Sequence, residues 1–473
     1  MAGSTLRRGG GGSRTRWYIG GGVALALVVV IVLVVVLSGG GSSDSGQGDQ
    51  LASGEVDPLA PPGPPGQKPA GGPSLAPDDA TGVTADTIKV GVQIADQKIL
   101  NAIGATLQDI PMEQIWQAFI DDFNNRGGVH GRRLEPVVRI NNPIDSTAMR
   151  ADCLAWTRDE KVFAVLGLTG YYGPPVQCIT EENRTPFLLA DGQPEEWQDG
   201  SSRGLLFTTS ASKSRILRNF ADWLDRTNLL KGKTVGLLSN GGSDEEQVNK
   251  HLVPELERRG YTIHSRFTFS VDTAEQARQY PIAIAQLRRD GVDTVIATTS
   301  FIPTSGLANA AEAANYYPQW LFSGFNGGTT DLLASKLTPQ FNALGVAASR
   351  TGEVHAGLES PPVDVECREV YERAIGQQVD RKNGTLLSAI IGVCGVVKLF
   401  EEGVRNAGPD LTRRTFSDGI AAIGEWVIPG FDKGSYRPGK YDGADSARVV
   451  RYEASCDCWT VYPGSEMKPM PVP

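Results

Sequence analysis

Apolar residues recur every three to four positions near the start of the folded part of the chain. Ile115, Trp116, Phe119, Ile120 and Phe123 make one stripe, and that spacing predicts an amphipathic helix with a single core-facing side. Gly127 and Gly128 follow. Glycine tolerates the left-handed backbone that closes a helix, and Gly131 predicts a second tight turn before residues 134–140 resume as a strand. Upstream, residues 88–94 (IKVGVQI) read as a buried first strand. The alternation then continues. Residues 146–158 predict a helix with Met149, Cys153, Leu154 and Trp156 inward, 162–168 a strand, 174–182 a helix and 187–190 a strand. After residues 204–209 come helix 213–224, strand 234–238, helix 245–259, strand 262–269, helix 280–290 and strand 295–299. Strands alternating with helices predict parallel sheets covered on both faces, here as two successive three-layer units.

The N-terminus breaks this pattern. Arg7, Arg8, Arg14 and Arg16 precede residues 17–37, which carry no charge and are almost all Val, Leu, Ala and Ile after Gly22. About 20 apolar residues cross a bilayer, and flanking basic residues stay in the cytoplasm. The expectation is a basic cytoplasmic tail (1–16), a single-pass membrane anchor (17–37) and an extracytoplasmic remainder. A cleaved secretory signal is the competing reading, because residues 23–37 also match the upper length of a signal core. Residues 38–80 hold Gly, Ser, Pro, Ala and acidic residues with no aromatic, which predicts a disordered stalk.

At 473 residues the chain has room for two core-bearing lobes and an appendage. Net charge is −9 with no basic cluster beyond the first sixteen residues, so nucleic acid is not an expected partner. His130, His251, His264 and His355 stand far apart and form no ligand-spaced motif, so neither metal nor cofactor is expected. No nucleophile elbow or H-E-x-x-H occurs, and adjacent Asp121 and Asp122 on a helix read as a solvated face, so no catalytic residue is assigned. Gly241-Gly242 and Gly327-Gly328 lack the Lys-Ser/Thr of a phosphate loop and read as turns. Six cysteines in an exported chain read as disulfides, with fifteen possible pairings. Sequence order suggests Cys153 with Cys178 and Cys367 with Cys394. Cys456 and Cys458 are left to pair locally, or to form the nucleus of a metal site.

The helix, the pattern Asn125, Gly127, Gly128, Gly131, Arg132 and the strand after it resemble the opening of the periplasmic binding proteins of the leucine/isoleucine/valine-binding type, which have the type I fold. Further stretches in order are similar to that family: residues 161–190, Gly291-Val292-Asp293-Thr294-Val295, Leu321-Phe322-Ser323-Gly324, and 385–408, which looks like the family's long return helix. The resemblance implies a two-lobed α/β fold, each lobe a parallel sheet flanked by helices, with three interlobe crossovers. Lobe 1 would comprise 86–208 and 346–430, lobe 2 would comprise 209–345 and 431–462, and 463–473 would be a tail. It also implies an extracytoplasmic protein that delivers a small organic solute (an amino acid, amide, urea or aromatic acid) to the permease and ATPase subunits of an ABC importer by lobe closure. The alternative is a ligand-sensing ectodomain that signals to a membrane partner.

In open α/β sheets a ligand sits beyond the carboxyl ends of the strands. That rule selects Asp96, Thr169, Tyr171, Tyr172 and Asp191 from the first lobe, and Asn240, Ser300, Phe301 and Asn326 from the second. The resemblance implies that the Thr169–Gly173 loop and the following helix start hold a ligand carboxylate, where Tyr171 and Tyr172 now stand. It implies an acidic partner for a ligand ammonium, where Asn326 now stands. A solute other than a simple aliphatic α-amino acid is therefore expected, with the tyrosines as stacking faces. The plainer readings are packing for the tyrosines and helix or turn capping for Asp191.

Overall fold

Helix Met112–Asn125 buries Ile115, Trp116, Ala118, Phe119, Ile120 and Phe123, the stripe expected from the spacing. Its exit depends on Gly128, at φ +70°, where a Cβ would lie 1.9 Å from the carbonyl oxygen of Arg132, so only glycine fits. The computed structural model describes residues 74–102 and 109–471. The expected cytoplasmic tail, the anchor and most of the stalk lie outside the described residues.

The first sheet has the order β2-β1-β3-β4-β5. Its strands are β1 (Thr87–Ala95), β2 (Arg133–Asn141), β3 (Ala164–Gly167), β4 (Phe187–Leu189) and β5 (Leu206–Thr208), all parallel. The second contains β6 (Val235–Asn240), β7 (Ile263–Phe269), β8 (Thr294–Ala297), β9 (Gln319–Ser323) and β10 (Asn342–Ala347), also mutually parallel. A short hairpin, β11 (Gly424–Trp426) with β12 (Gly434–Tyr436), stands apart. Strands β13 (Ser446–Glu453) and β14 (Cys458–Val461) then extend the second sheet antiparallel from β10. The central strands are buried on both faces, as β-sheets covered by helices must be.

The chain passes between lobes three times. After β5 it leaves the first sheet for β6 through helix Lys213–Arg226, whose apolar face packs into the second lobe with Leu237, Leu252 and Leu256. After β10 it returns, and helices Pro362–Ile375, Gly384–Ala407 and Arg413–Ala421 join the core of the first lobe beside Val90, Phe119 and Leu166. The third passage leads through β12 to β13. Helix Gly384–Ala407 is long and apolar enough to cross a membrane, but it is a core helix here, with Ile390, Val393, Val397 and Phe400 all buried.

A buried charge network ties the first passage to the third. Arg215 Nη1 donates to Asp442 Oδ2 at 2.7 Å, Arg215 Nη2 to Asp445 Oδ1 at 2.9 Å, and Ser212 N to Asp442 Oδ2 at 2.7 Å. Lys440 Nζ lies 3.1 Å from both acids. Burial raises the Asp442 pKa, yet the charges of Arg215 and Lys440 and the Ser212 bond bring it well below the ordinary range. The network fixes the first turn of helix Lys213–Arg226.

Four expectations need correction. The stalk ends before residue 80: Ala76 is fully buried, Leu75 N donates to Arg203 O, and Arg413 N to Asp79 O. Nor is 463–473 a free tail, since β15 (Lys468–Pro469) pairs with β13 and Met470 is buried. Helix 280–290 begins earlier, as Thr273–Arg289, with Asp272 as its cap; Pro281 sits inside it and hides the first turns from a sequence reading. Helix 245–259 is two, Ser243–His251 and Val253–Arg258, divided ahead of Pro254.

Candidate functional site

The selected residues all lie at the carboxyl ends of parallel strands or in the loops and helix starts that follow them. In the first lobe Gln93, buried on β1, donates from Nε2 to Asn141 Oδ1 at 2.6 Å and to Thr169 O at 3.1 Å. Asn141 in turn donates to Gly170 O. These amides hold the Thr169–Gly173 loop over the end of β3. Thr169 Oγ1 then donates to Asp191 Oδ2, and the Gly170 amide also bonds the Asp191 carboxylate. Asp191 is open to solvent yet flanked by protein. That desolvation raises its pKa, outweighing Thr169, the charge of Lys213 and the Gly170 amide, which lower it.

The second lobe contributes a carboxylate that the sequence reading missed. Asp244, in the first turn of helix Ser243–His251, receives Lys213 Nζ on Oδ1 at 2.8 Å. Its Oδ2 receives Asn240 Nδ2 at 2.9 Å and Asn326 Nδ2 at 2.7 Å. Burial raises the Asp244 pKa, but Lys213 and the two amides more than reverse this and keep it ionised. Lys213 Nζ also stands 5.2 Å from the centroid of the Phe325 ring. Asn240 Oδ1 accepts the Ser300 amide at 3.4 Å, and Asn326 reaches Thr298 O at 3.3 Å. Asn326 is thus not a bare replacement for an acid, because the acid stands next to it.

Lys213 links the two halves. Its backbone N donates to Gln193 O at 3.0 Å, so it is anchored against the loop that carries Asp191. Gly192 permits this approach: a Cβ there would lie 2.3 Å from Ala211 O. Lys213 and Asp244 were legible by the same strand-end rule that selected the others. In the sequence Lys213 opens a helix, and Asp244 falls between strand 234–238 and helix 245–259 with nothing to mark it.

Tyr171 is the clearest correction. It is 2% exposed, packs edge-on to Phe187 at 5.5 Å, and its hydroxyl donates to Met149 O, so it belongs to the core of the first lobe and not to the ligand set. Burial drives its pKa well up. Tyr172 is 48% exposed, and its hydroxyl donates to Pro143 O. Desolvation and then the charge of Asp244 raise the Tyr172 pKa. Asp96 spends its Oδ1 on the amides of Lys98 and Ile99, at 2.8 and 3.4 Å, and caps helix Gln97–Ala102. Ser300 and Phe301 begin helix Phe301–Ala313 without a side-chain cap. The helix after the Thr169–Gly173 loop starts Pro174-Pro175, so two positions that usually supply N–H groups to an anion supply none.

The cysteines pair as Cys153–Cys178, Cys367–Cys394 and Cys456–Cys458. His355, Cys456 and Cys458 converge closely enough to suggest a metal group, but the two sulfurs are bonded to each other.

A family model described as periplasmic binding protein matches residues 88–453, well over half of the chain. No curated protein matches at a significant level. Among solved structures the chain is similar to a fatty acid ABC transporter substrate-binding protein from Thermomonospora curvata, at 17% identity and a TM-score of 0.61, covering 82% of this chain and 93% of that one. It is also similar to an ABC transporter substrate-binding protein from Desulfitobacterium hafniense in complex with Leu, at 15% identity, a TM-score of 0.57 and coverage of 80% and 100%. A leucine binding protein from Thermotoga maritima MSB8 matches at 13% identity, a TM-score of 0.60 and coverage of 82% and 99%. Identities this low carry the fold and not the ligand. Two parallel sheets, three passages between lobes and polar groups at facing strand ends have the same explanation as the family match: the chain belongs to the periplasmic binding proteins, with the type I fold.

Proposed function

We propose that the protein captures a small organic solute between its lobes outside the cytoplasm and delivers it to the permease and ATPase subunits of an ABC importer. The observation that carries this reading is the bonded cluster of Lys213, Asp244, Asn240 and Asn326, with Asp191, from a strand end of the first sheet, within reach of the charge of Lys213. Thr169, Tyr172, Ser300 and Phe301 border it. A solute that touches groups from both lobes stabilises the closed state by its differential affinity, and a permease can read that state. Residues 17–37 would tether the protein to the membrane, with the folded lobes outside. Lobe 1 would run over 86–208 and 346–430 with residues 74–85 packed on it, and lobe 2 over 209–345 and 431–462 with 463–471 added to it. The solute class spans amino acids, amides, urea and aromatic acids.

The test is native mass spectrometry of the full chain purified from its own cells, followed by small-angle scattering with and without the released solute. A bound small molecule whose return contracts the particle supports the reading. A protein that purifies empty and does not contract with any extract of its growth medium contradicts it.

A further inference from the structure

We propose that the Cys456–Cys458 disulfide is a thiol-exchange centre: a small thiol attacks the sulfur of Cys456, and the sulfur of Cys458 leaves beside the ring of His355. This activity is independent of the solute and of lobe closure.

The bridge adds little to the fold around it. Cys153–Cys178 and Cys367–Cys394 join separate helical segments inside the first lobe, and all four residues are buried. Cys456 and Cys458 are only two residues apart. They flank the end of a turn, 454–457, that the β13–β14 ladder already closes, with Tyr452 opposite Trp459 and Glu453 opposite Cys458. The loop-closure entropy of so short a link is the smallest of the three.

The two sulfurs differ in access. Cys456 is exposed, whereas Cys458 is 3% exposed at the start of β14. An incoming thiolate therefore meets Cys456 first, which makes Cys458 the leaving group.

His355 is built into place for that leaving sulfur. Gly352, at φ +83°, lets the turn ahead of His355 lie on β14, where a Cβ would stand 2.8 Å from Thr460 Cα. A ring nitrogen of His355 then lies within 4.8 Å of both sulfurs. Asp331 holds both sides of this arrangement. Its Oδ1 accepts the amide of Trp459, the residue after Cys458, at 3.0 Å, and its Oδ2 lies 3.6 Å from His355 Nε2. The bond to Asp331 raises the His355 pKa, against burial and the charge of Lys382, and so favours the imidazolium. An imidazolium near a sulfur stabilises its thiolate, and a more stable thiolate leaves faster.

The exchange balances in two steps. A thiolate RS⁻ bonds to Cys456 Sγ as the Cys456–Cys458 bond breaks, which leaves Cys456–S–S–R and the Cys458 thiolate. A second RS⁻ attacks the R sulfur of that mixed disulfide, forms RSSR and releases the Cys456 thiolate. Two small thiols lose two electrons and two protons, and the protein disulfide takes up both to become two cysteine thiols.

The closing experiment exposes the full chain in detergent to reduced glutathione at pH 7, with a rapid N-ethylmaleimide quench and peptide mapping. Glutathione is expected on Cys456 and maleimide on Cys458 in the first product. His355→Gln should slow loss of the bridge by roughly tenfold, and Asp331→Asn, which keeps an acceptor for Trp459 N, by about threefold. Damage to the hairpin would open the bridge and speed attack, so loosening cannot mimic a slower rate. The two buried disulfides should stay unlabelled throughout and report an intact fold. Three results would overturn the proposal: glutathione on Cys458, a rate in His355→Gln equal to or above the wild type with the buried disulfides intact, or a wild-type bridge no more reactive than the buried ones.

Discussion

Lys213 Nζ lies 2.8 Å from Asp244 Oδ1, and both side chains are mostly shielded from water. Lys213 begins the helix that follows the first passage between lobes, and Asp244 lies in the first turn of the helix after β6, so the ion pair joins two helix starts at the cleft, beside the Ser214–Gln247 bond between the same helices. Its removal should be felt at neutral pH. Lys213→Met leaves Asp244 with two amides and no counter-charge, and is expected to destabilise the protein by about 2 kcal/mol, below the range for fully buried pairs because this one is partly wet. The sign with pH follows from the lowered Asp244 pKa. A carboxyl lowered by folding stabilises above its unfolded value and loses that contribution as pH falls through the folded value. The deficit of Lys213→Met should therefore be largest near pH 7 and shrink toward pH 3.5. Urea unfolding at the two pH values measures this, and an equal deficit at both would show that the pair contributes no charge-dependent stability.

Tyr171 gives a second prediction that separates core from cleft. Tyr171→Phe removes the bond to Met149 O and should cost about 1 kcal/mol, whereas Tyr171→Ala empties a site packed by Trp156 and Phe187 and should cost roughly 3–5 kcal/mol. Tyr171 lies in the core, so Tyr171→Phe should leave the affinity for the co-purified solute within twofold. A tenfold loss in Tyr171→Phe would return the tyrosine to the site.

These two residues show what a sequence makes visible. The amphipathic stripe from Ile115 to Phe123, the strand-helix alternation and the order of family-like segments were readable because each follows a local period or a short pattern. Tyr171 was misread because the sequence places it in a ligand loop but does not say which way its ring turns. Only the packing of Trp156 and Phe187 settles that. Asp244 was missed because its acidic neighbours Glu245 and Glu246 look like an exposed first turn, and its partners Lys213 and Asn326 lie 31 and 82 residues away in sequence. Pro174-Pro175 was visible throughout, and its missing N–H groups would have signalled a changed anion end without any structure.

The disulfides should differ in both accessibility and effect. Cys153, Cys178, Cys367 and Cys394 are essentially buried, whereas Cys456 is exposed. With limiting reductant and rapid alkylation, Cys456 and Cys458 should be labelled first, read by peptide mapping. The chain-entropy relation assigns roughly 3.5 kcal/mol to the loop closed by Cys153–Cys178 and about half of that to the short Cys456–Cys458 loop. Cys153→Ala with Cys178→Ala should accordingly lower stability about twice as much as Cys456→Ser with Cys458→Ser. Prior labelling of Cys153 would mean that the first-lobe core opens before the edge of the second sheet.

Asp364 supplies the last prediction. It lies on helix Pro362–Ile375, is buried, and accepts the Gly430 amide on Oδ1 at 2.8 Å, joining the return helices to the third passage. Burial pushes its pKa up to about 6; the Gly430 bond and the charge of Arg350 oppose the rise, and Glu353 adds to it. A carboxyl raised by folding gives its full contribution below the unfolded value, near 3.9, and loses it as pH rises through the folded value. The ionised form thus costs about 3 kcal/mol of stability at pH 8, as two units at roughly 1.4 kcal/mol each. Asp364→Asn keeps an acceptor for Gly430 N and never ionises. It should be more stable than the wild type by about 2–3 kcal/mol at pH 8, and the difference should fall toward zero by pH 4. Chemical unfolding across that range measures it. A variant that is less stable than the wild type at pH 8 would mean that Asp364 is held ionised by Arg350 and that the charge, not its burial, secures the joint.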